Sequence, residues 1–262
     1  MQTPLQKYFA QRVKNLFNHL HDFDLNGDDV SLHDFRVEMK KMRAIIRFLR
    51  QVYPKQKLKR ADHLARSIFQ VAGEIREYQL LQQWLQKNNI ALIEKLYFPP
   101  EKLTVMVKHF RHRSDDYKSD LKEVIDDVGR LVHITNEILP EQYLVELNAQ
   151  LEKHCRKNLP DIEWHEFRKI IKQWMYGINW VSEPGAAEQD NTFSYYNKLQ
   201  ETIGLWHDLE LIKDSFSLKQ IYLSQDIEIQ KDFSSAWDKL SSQLKQKEKQ
   251  VEELLIKQPV HG

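Results

Sequence analysis

An eight-residue segment occurs twice in this chain, and no other feature constrains the fold as tightly. His33-Asp34-Phe35-Arg36-Val37-Glu38-Met39-Lys40 aligns without gaps on His165-Glu166-Phe167-Arg168-Lys169-Ile170-Ile171-Lys172, with His, Phe, Arg and Lys retained and the second position acidic in both. A second pair, Gly73-Glu74-Ile75-Arg76-Glu77-Tyr78-Gln79-Leu80 and Gly204-Leu205-Trp206-His207-Asp208-Leu209-Glu210-Leu211, falls at nearly the same offset. Two blocks sharing one long period imply a duplicated unit rather than chance. The copies meet near Pro140, so the expected division is 1–139 and 140–262.

Each copy reads as helical. Gly and Pro number only 7 and 8 among 262 residues, and they sit between stretches of 3.6-residue periodicity. Asn26-Gly27, Pro54, Pro99-Pro100, Pro140, Pro160 and Pro184-Gly185 divide the chain into eight expected helices, at about 4–22, 30–52, 55–88, 101–138, 141–158, 161–182, 190–222 and 226–257. Strands of period two are absent from this reading. The expected fold is therefore all-α: two four-helix bundles related by an internal pseudo-twofold axis, packed as one body.

Charge must be read locally, because 39 basic and 38 acidic side chains nearly cancel. On a helical wheel, His33, Arg36, Lys40, Arg43 and Arg47 share an arc of about 80°, opposite Phe35, Met39, Met42, Ile45, Ile46 and Leu49. The row is about 20 Å long at the rise of an α-helix. An ordinary surface helix offsets such cations with acidic residues three or four positions away. None stands there for Arg36, Lys40, Arg43 or Arg47, nor for Arg168 or Lys172 in the second copy. The uncompensated repulsion in the first strip costs about 1 to 2 kcal/mol, unless another helix supplies carboxylates. Asp29 and Asp161, four residues before the two histidines, are expected to cap or support the helix starts.

A row of cations on a rigid helix matches a linear array of negative charge better than it matches one phosphate. Single phosphates are usually held by backbone amides of Gly-rich loops, and no G-x-x-x-x-G-K-[ST] or G-x-G-x-x-G stretch occurs. Arginine supplies forked donors for phosphoryl oxygens and lysine a movable charge. His33 and His165 would act as donors, or as extra cations if protonated. If the twofold brings the strips together, they line a basic central cleft or channel.

The motif His33-x-x-Arg36-Val37-x-x-Lys40-Lys41-x-Arg43, then Ala72-Gly73-x-x-Arg76-Glu77, His165-x-x-Arg168-Lys169-x-x-Lys172 and Ile203-Gly204-x-x-His207-Asp208, resembles the CHAD domain, the conserved histidine α-helical domain. The resemblance spans essentially the whole chain. It implies two four-helix bundles with pseudo-twofold symmetry, a basic channel, and binding of inorganic polyphosphate, often at polyphosphate granules. Carried over position by position, it implies a polyanion site of His33, Arg36, Lys40, Lys41, Arg43, His165, Arg168, Lys169 and Lys172, to which the wheel adds Arg47. The second strip departs from the first: Gln173, Met175 and Asn179 stand where Lys41, Arg43 and Arg47 stand. Glu77 and Asp208 are read as carboxylates that orient neighbouring basic side chains.

Other signals carry less. Asp22-x-Asp24-x-Asn26-Gly27 begins like a calcium loop, but His33 occupies the twelfth position, where a bidentate Glu is needed, so an interhelical turn is expected. His109 and His112 share a helix face without a third ligand, and no cofactor or metal is expected. Trp174 and Trp206 read as packing residues rather than base-stacking platforms. A lone Cys155 excludes an internal disulfide, no apolar run reaches the length of a membrane span, and Met1–Leu20 is too polar for a secretory signal. The chain reads as a cytoplasmic binding module rather than an enzyme. A phosphoanhydride-processing enzyme, a nucleic-acid binder and an adaptor for an acidic protein segment remain open. Near-zero net charge and the lack of aromatics interleaved with the strip argue against nucleic acid.

Overall fold

The computed structural model describes residues 2–53, 56–154, 159–182, 191–219 and 224–257. Pro54, Cys155 and Pro184-Gly185 lie outside them. Among the described residues the protein is all-helical, with ten helices and no strand. They are α1 (Pro4–Asn26), α2 (Asp29–Val52), α3 (Gln56–Lys87), α4 (Ala91–Tyr97), α5 (Pro100–His112), α6 (Ser114–Ile134), α7 (Ile138–His154), α8 (Asp161–Val181), α9 (Asn191–Leu218) and α10 (Ile227–Ile256).

Local chemistry explains the ends. Thr3 and Gln6 form a capping box before α1, with Pro4 at its first position, where a missing N–H costs nothing. Gly27 closes α1 in the left-handed region at φ 67° and donates its N–H to Phe23 O at 2.8 Å. The Asp22–Gly27 stretch is thus a helix end and turn. The cap of α2 is Asp28, whose Oδ1 accepts from the N–H of Val30 and of Ser31, and Asp29 is the first helical residue.

Two expectations about helix boundaries are corrected. The single helix expected over 101–138 is two, because the backbone turns at Arg113 (φ −100°, ψ 10°), whose N–H bonds Phe110 O at 3.1 Å. No Gly or Pro marks that turn. Pro140 does not precede α7 but sits in its first turn, where its ring is tolerated. The short helix α4, which follows Asn89 at φ 56°, had no counterpart in the sequence reading.

The chain divides into two compact units. The first comprises Met1–Arg76, Met106–Gln150 and Gln173–Gln189, and the second Glu77–Val105, Leu151–Lys172 and Asp190–Gly262. The units cut across the sequence copies, since the first takes residues from both sides of Pro140. In the first unit α1 packs along α2 and α6. Its core includes a cluster in which Phe110 meets Phe23, Phe35 and Tyr117 at 5.3, 6.2 and 4.8 Å between ring centres. In the second unit α10 packs on α9 and α4, and Phe216 meets Trp84 and Phe98, each at 5.9 Å. Burial of each such ring contributes about 1.5 to 3 kcal/mol. The apolar face of α2, from Leu32 to Leu49, is fully buried, which fixes the rotation of the helix and turns its basic face away from the core.

Candidate functional site

In each unit the arginine of the first block meets the glycine of the second on a neighbouring helix. In the first, α2 carries the His-Arg-Lys motif and α3 the Gly block. Arg36 reaches across to α3, where its Nη1 donates to Phe69 O at 3.1 Å. It also lies against Gly73 so closely that a Cβ there would stand 2.6 Å from Nη1. In the second unit α8 and α9 repeat the device. Arg168 Nε donates to Gln200 O at 2.9 Å, and a Cβ on Gly204 would stand 2.8 Å from Nη2. Each arginine thus rests on a bare glycine and bonds the carbonyl four residues before it. The two blocks of each copy are the two halves of this contact.

The remaining cations of the first strip separate into groups. Arg36 and Arg43 place Cζ 4.5 and 5.2 Å from the centre of the Phe69 ring, and Lys40 Nζ lies 6.0 Å from it. Arg43 Nε is 3.9 Å from Asp62 of α3, which also pairs with Arg50. This is the carboxylate from another helix that a wheel of α2 cannot display. Partial burial, and the charges of Arg47 and Arg66, pull the Arg43 guanidinium below its usual pKa, against Asp62. Arg47 Nη1 donates to Gln173 Oε1 at 3.0 Å, and Gln173 Nε2 donates in turn to Ala44 O at 2.9 Å. Gln173 is only 3% exposed.

Lys41 faces a different side of α2. Its Nζ lies 2.7 Å from Glu38, whose carboxylate also holds Arg12 at 3.1 Å. Glu38 is 4% exposed, so this trio neutralises a buried acid.

The histidines differ between copies. Partial desolvation, with Arg76 and then Lys40 nearby, lowers the His33 pKa. His165 faces His207, with ring centres 4.5 Å apart, and its Nδ1 is buried without a hydrogen-bond partner among the described residues. Desolvation, then His207 and Lys169, push its pKa down to about 4. The His207 pKa is lowered by burial, with Asp208 opposing. For all three imidazoles burial is the main cause of the shift and favours the neutral form. Lys169 pairs with Glu166 at 2.7 Å on the exposed side of α8, and Lys172 lies one turn beyond Arg168 on the same helix.

A family model for the CHAD domain matches residues 7–216 of the chain. The chain belongs to the CHAD domain family. No curated protein matches it. The CHAD match ends inside α9, so α10 lies beyond it. Four of the motif residues that carry the resemblance, Arg36 with Gly73 and Arg168 with Gly204, build the arginine-on-glycine contact of each copy. Sequence reasoning missed Phe69, Asp62, Arg66 and Gln200. One signal was available for two of them: Phe69 and Gln200 stand four residues before Gly73 and Gly204, the position whose carbonyl a side chain lying on the glycine can reach. Among the described residues no helix is long and apolar enough to cross a membrane, and no group of three or more metal-ligating side chains occurs.

Proposed function

We propose that the chain binds inorganic polyphosphate, using Arg36, Lys40, Arg43 and Arg47 with His33 from the first copy, and Arg168, Lys169 and Lys172 with His165 from the second. The finer architecture belongs to the same reading: two four-helix bundles about a pseudo-twofold axis, their basic faces lining one channel. So does the place of action, the cytoplasm and its polyphosphate granules.

The observation that carries the reading is the convergence of Arg36, Lys40 and Arg43 on one ring. Like charges gathered this way repel one another, and a polyanion would offset that repulsion together with Asp62. Membership of the CHAD family, which is associated with polyphosphate binding, supports the choice of anion. Arginine, lysine and imidazole N–H groups are the donors that suit phosphoryl oxygens, Asp62 beside Arg43 being an acceptor, and the reading is of a binding module rather than an enzyme.

Calorimetric titration with long-chain polyphosphate at two salt concentrations tests this, beside a variant carrying Arg36→Ala, Lys40→Ala, Arg168→Ala and Lys172→Ala. Tight binding that weakens with salt and is lost in the variant is the expected result, because displaced counterions make such contacts salt-dependent. A folded wild-type protein that fails to bind, or RNA that displaces polyphosphate at equal charge, would overturn it.

A further inference from the structure

Phe69 occupies a position that neither repeated block includes, yet it touches more of the strip than any other residue described above. Its carbonyl accepts from Arg36 Nη1, and its ring lies beneath the guanidinium groups of Arg36 and Arg43 and within 6.0 Å of Lys40 Nζ. The three cations come from one face of α2 and the ring from α3, so the contact is tertiary. Phe69 is partly exposed, which leaves the cluster open to solvent and to an anion.

The second copy keeps only half of this arrangement. Gln200 stands at the corresponding position, and its carbonyl accepts from Arg168 as that of Phe69 accepts from Arg36. Its side chain, however, is 5% exposed and donates to Asn197 Oδ1 at 2.9 Å. The backbone contact is common to both copies, whereas the position that carries the ring in the first carries the amide of Gln200 in the second.

We propose that Phe69 is a positioning residue of the polyanion site: its ring holds Arg36, Lys40 and Arg43 as one preformed cluster, and makes the first copy the stronger grip. The inference rests on the polyphosphate reading. The face of an aromatic ring carries partial negative charge that attracts cations. The ring adds to what the Phe69 carbonyl does for Arg36 and Asp62 for Arg43, so that the three like charges are gathered before the ligand arrives. Ordering them in advance removes a cost that binding would otherwise carry. An ordinary packing role for a phenylalanine between two helices makes different demands, since it needs volume and not a charged face.

Phe69→Leu keeps apolar bulk without the ring, and Phe69→Tyr keeps the ring. Three readouts are taken on each full-length protein: affinity for long-chain inorganic polyphosphate, melting temperature, and the NMR resonances of the Arg36 and Arg43 Nε–Hε groups, assigned with Arg→Lys variants. The expected result is that Phe69→Leu binds about fivefold more weakly and Phe69→Tyr stays within about twofold of wild type, with similar melting temperatures. The Arg36 and Arg43 signals should be ring-shifted in wild type and Phe69→Tyr, and lose that shift in Phe69→Leu. Unchanged affinity in Phe69→Leu overturns the proposal, as does equal loss in both variants accompanied by a lower melting temperature. Unshifted arginine signals in wild type overturn it as well. If wild-type protein binds no polyphosphate, the functional reading falls, while the arginine signals still decide whether the ring holds the guanidinium groups.

Discussion

Arg168 lies on Gly204 as on a bare patch of helix: a Cβ there would fall 2.8 Å from Nη2, 3.1 Å from Nε and 3.2 Å from Cζ. Arg36 has the same relation to Gly73, but there only Nη1 is crowded, at 2.6 Å, with Cζ at 3.6 Å. The glycines are helical, so what they provide is space for a guanidinium rather than an unusual backbone angle.

Gly→Ala at either site should therefore separate stability from binding. Alanine favours a helix interior over glycine by about 1 kcal/mol. Displacing the arginine forfeits a charged hydrogen bond worth about 1.5 to 3 kcal/mol, at the low end for a partly exposed group. Gly73→Ala should change unfolding free energy by no more than about 1 kcal/mol, yet weaken polyphosphate binding. Gly204→Ala, which must move a whole guanidinium, should be the more destabilising. Urea unfolding and calorimetric titration of both variants check this.

Much of the architecture was legible because α2 and α8 carry strong 3.6-residue patterns bounded by capping residues and breakers. What escaped did so for physical reasons. The turn at Arg113 uses a backbone geometry open to most residues, so no Gly or Pro announces it. The strip itself could be drawn on a wheel of α2, but its partners Phe69 and Asp62 come from α3, and nothing in the local sequence of α2 encodes them. Lys41 follows Lys40 in the motif, but the 100° step between consecutive residues turns it toward Glu38 and Arg12.

The departure of the second strip at Gln173 has a structural cause. The position is buried, and its amide bridges the Ala44 carbonyl and the Arg47 guanidinium. Gln173→Leu leaves Ala44 O without that donor and should destabilise the fold by about 1 to 3 kcal/mol. Gln173→Lys restores the residue of the first copy but buries a cation beside Arg47, and should cost more. Denaturant melts that rank Lys as milder than Leu would contradict this account.

Lys41 is expected to serve stability more than binding. Glu38→Ala leaves Arg12 and Lys41 facing one another without their shared acid, and should cost about 3 kcal/mol. Lys41→Ala leaves Glu38 with Arg12, and should cost about 1 kcal/mol, since Lys41 is partly exposed. Polyphosphate affinity in Lys41→Ala should stay within about twofold of wild type, whereas Lys40→Ala should lose about fivefold or more. Equal losses in the two variants would return Lys41 to the binding strip.

Acidification should weaken the fold through His165. Its pKa in the folded protein, about 4, lies below the usual 6.5, so between those values the unfolded chain binds the extra proton. Stability from this group is complete above pH 6.5 and is lost as pH falls toward 4. His207 has a lowered pKa as well, and adds in the same direction. Of the charges around His165, Lys169 and Arg168 favour its neutral form and Glu166 opposes them. A bound polyanion reverses the balance, because negative charge beside the pair favours imidazolium. Binding should then take up protons and tighten as pH falls below 6.5, even while the free protein loses stability. Titrations repeated in buffers of different ionisation enthalpy measure that uptake, and His165→Gln should reduce it. Proton uptake that is zero at pH 5.5, or unaltered in His165→Gln, would remove the histidine pair from the binding site.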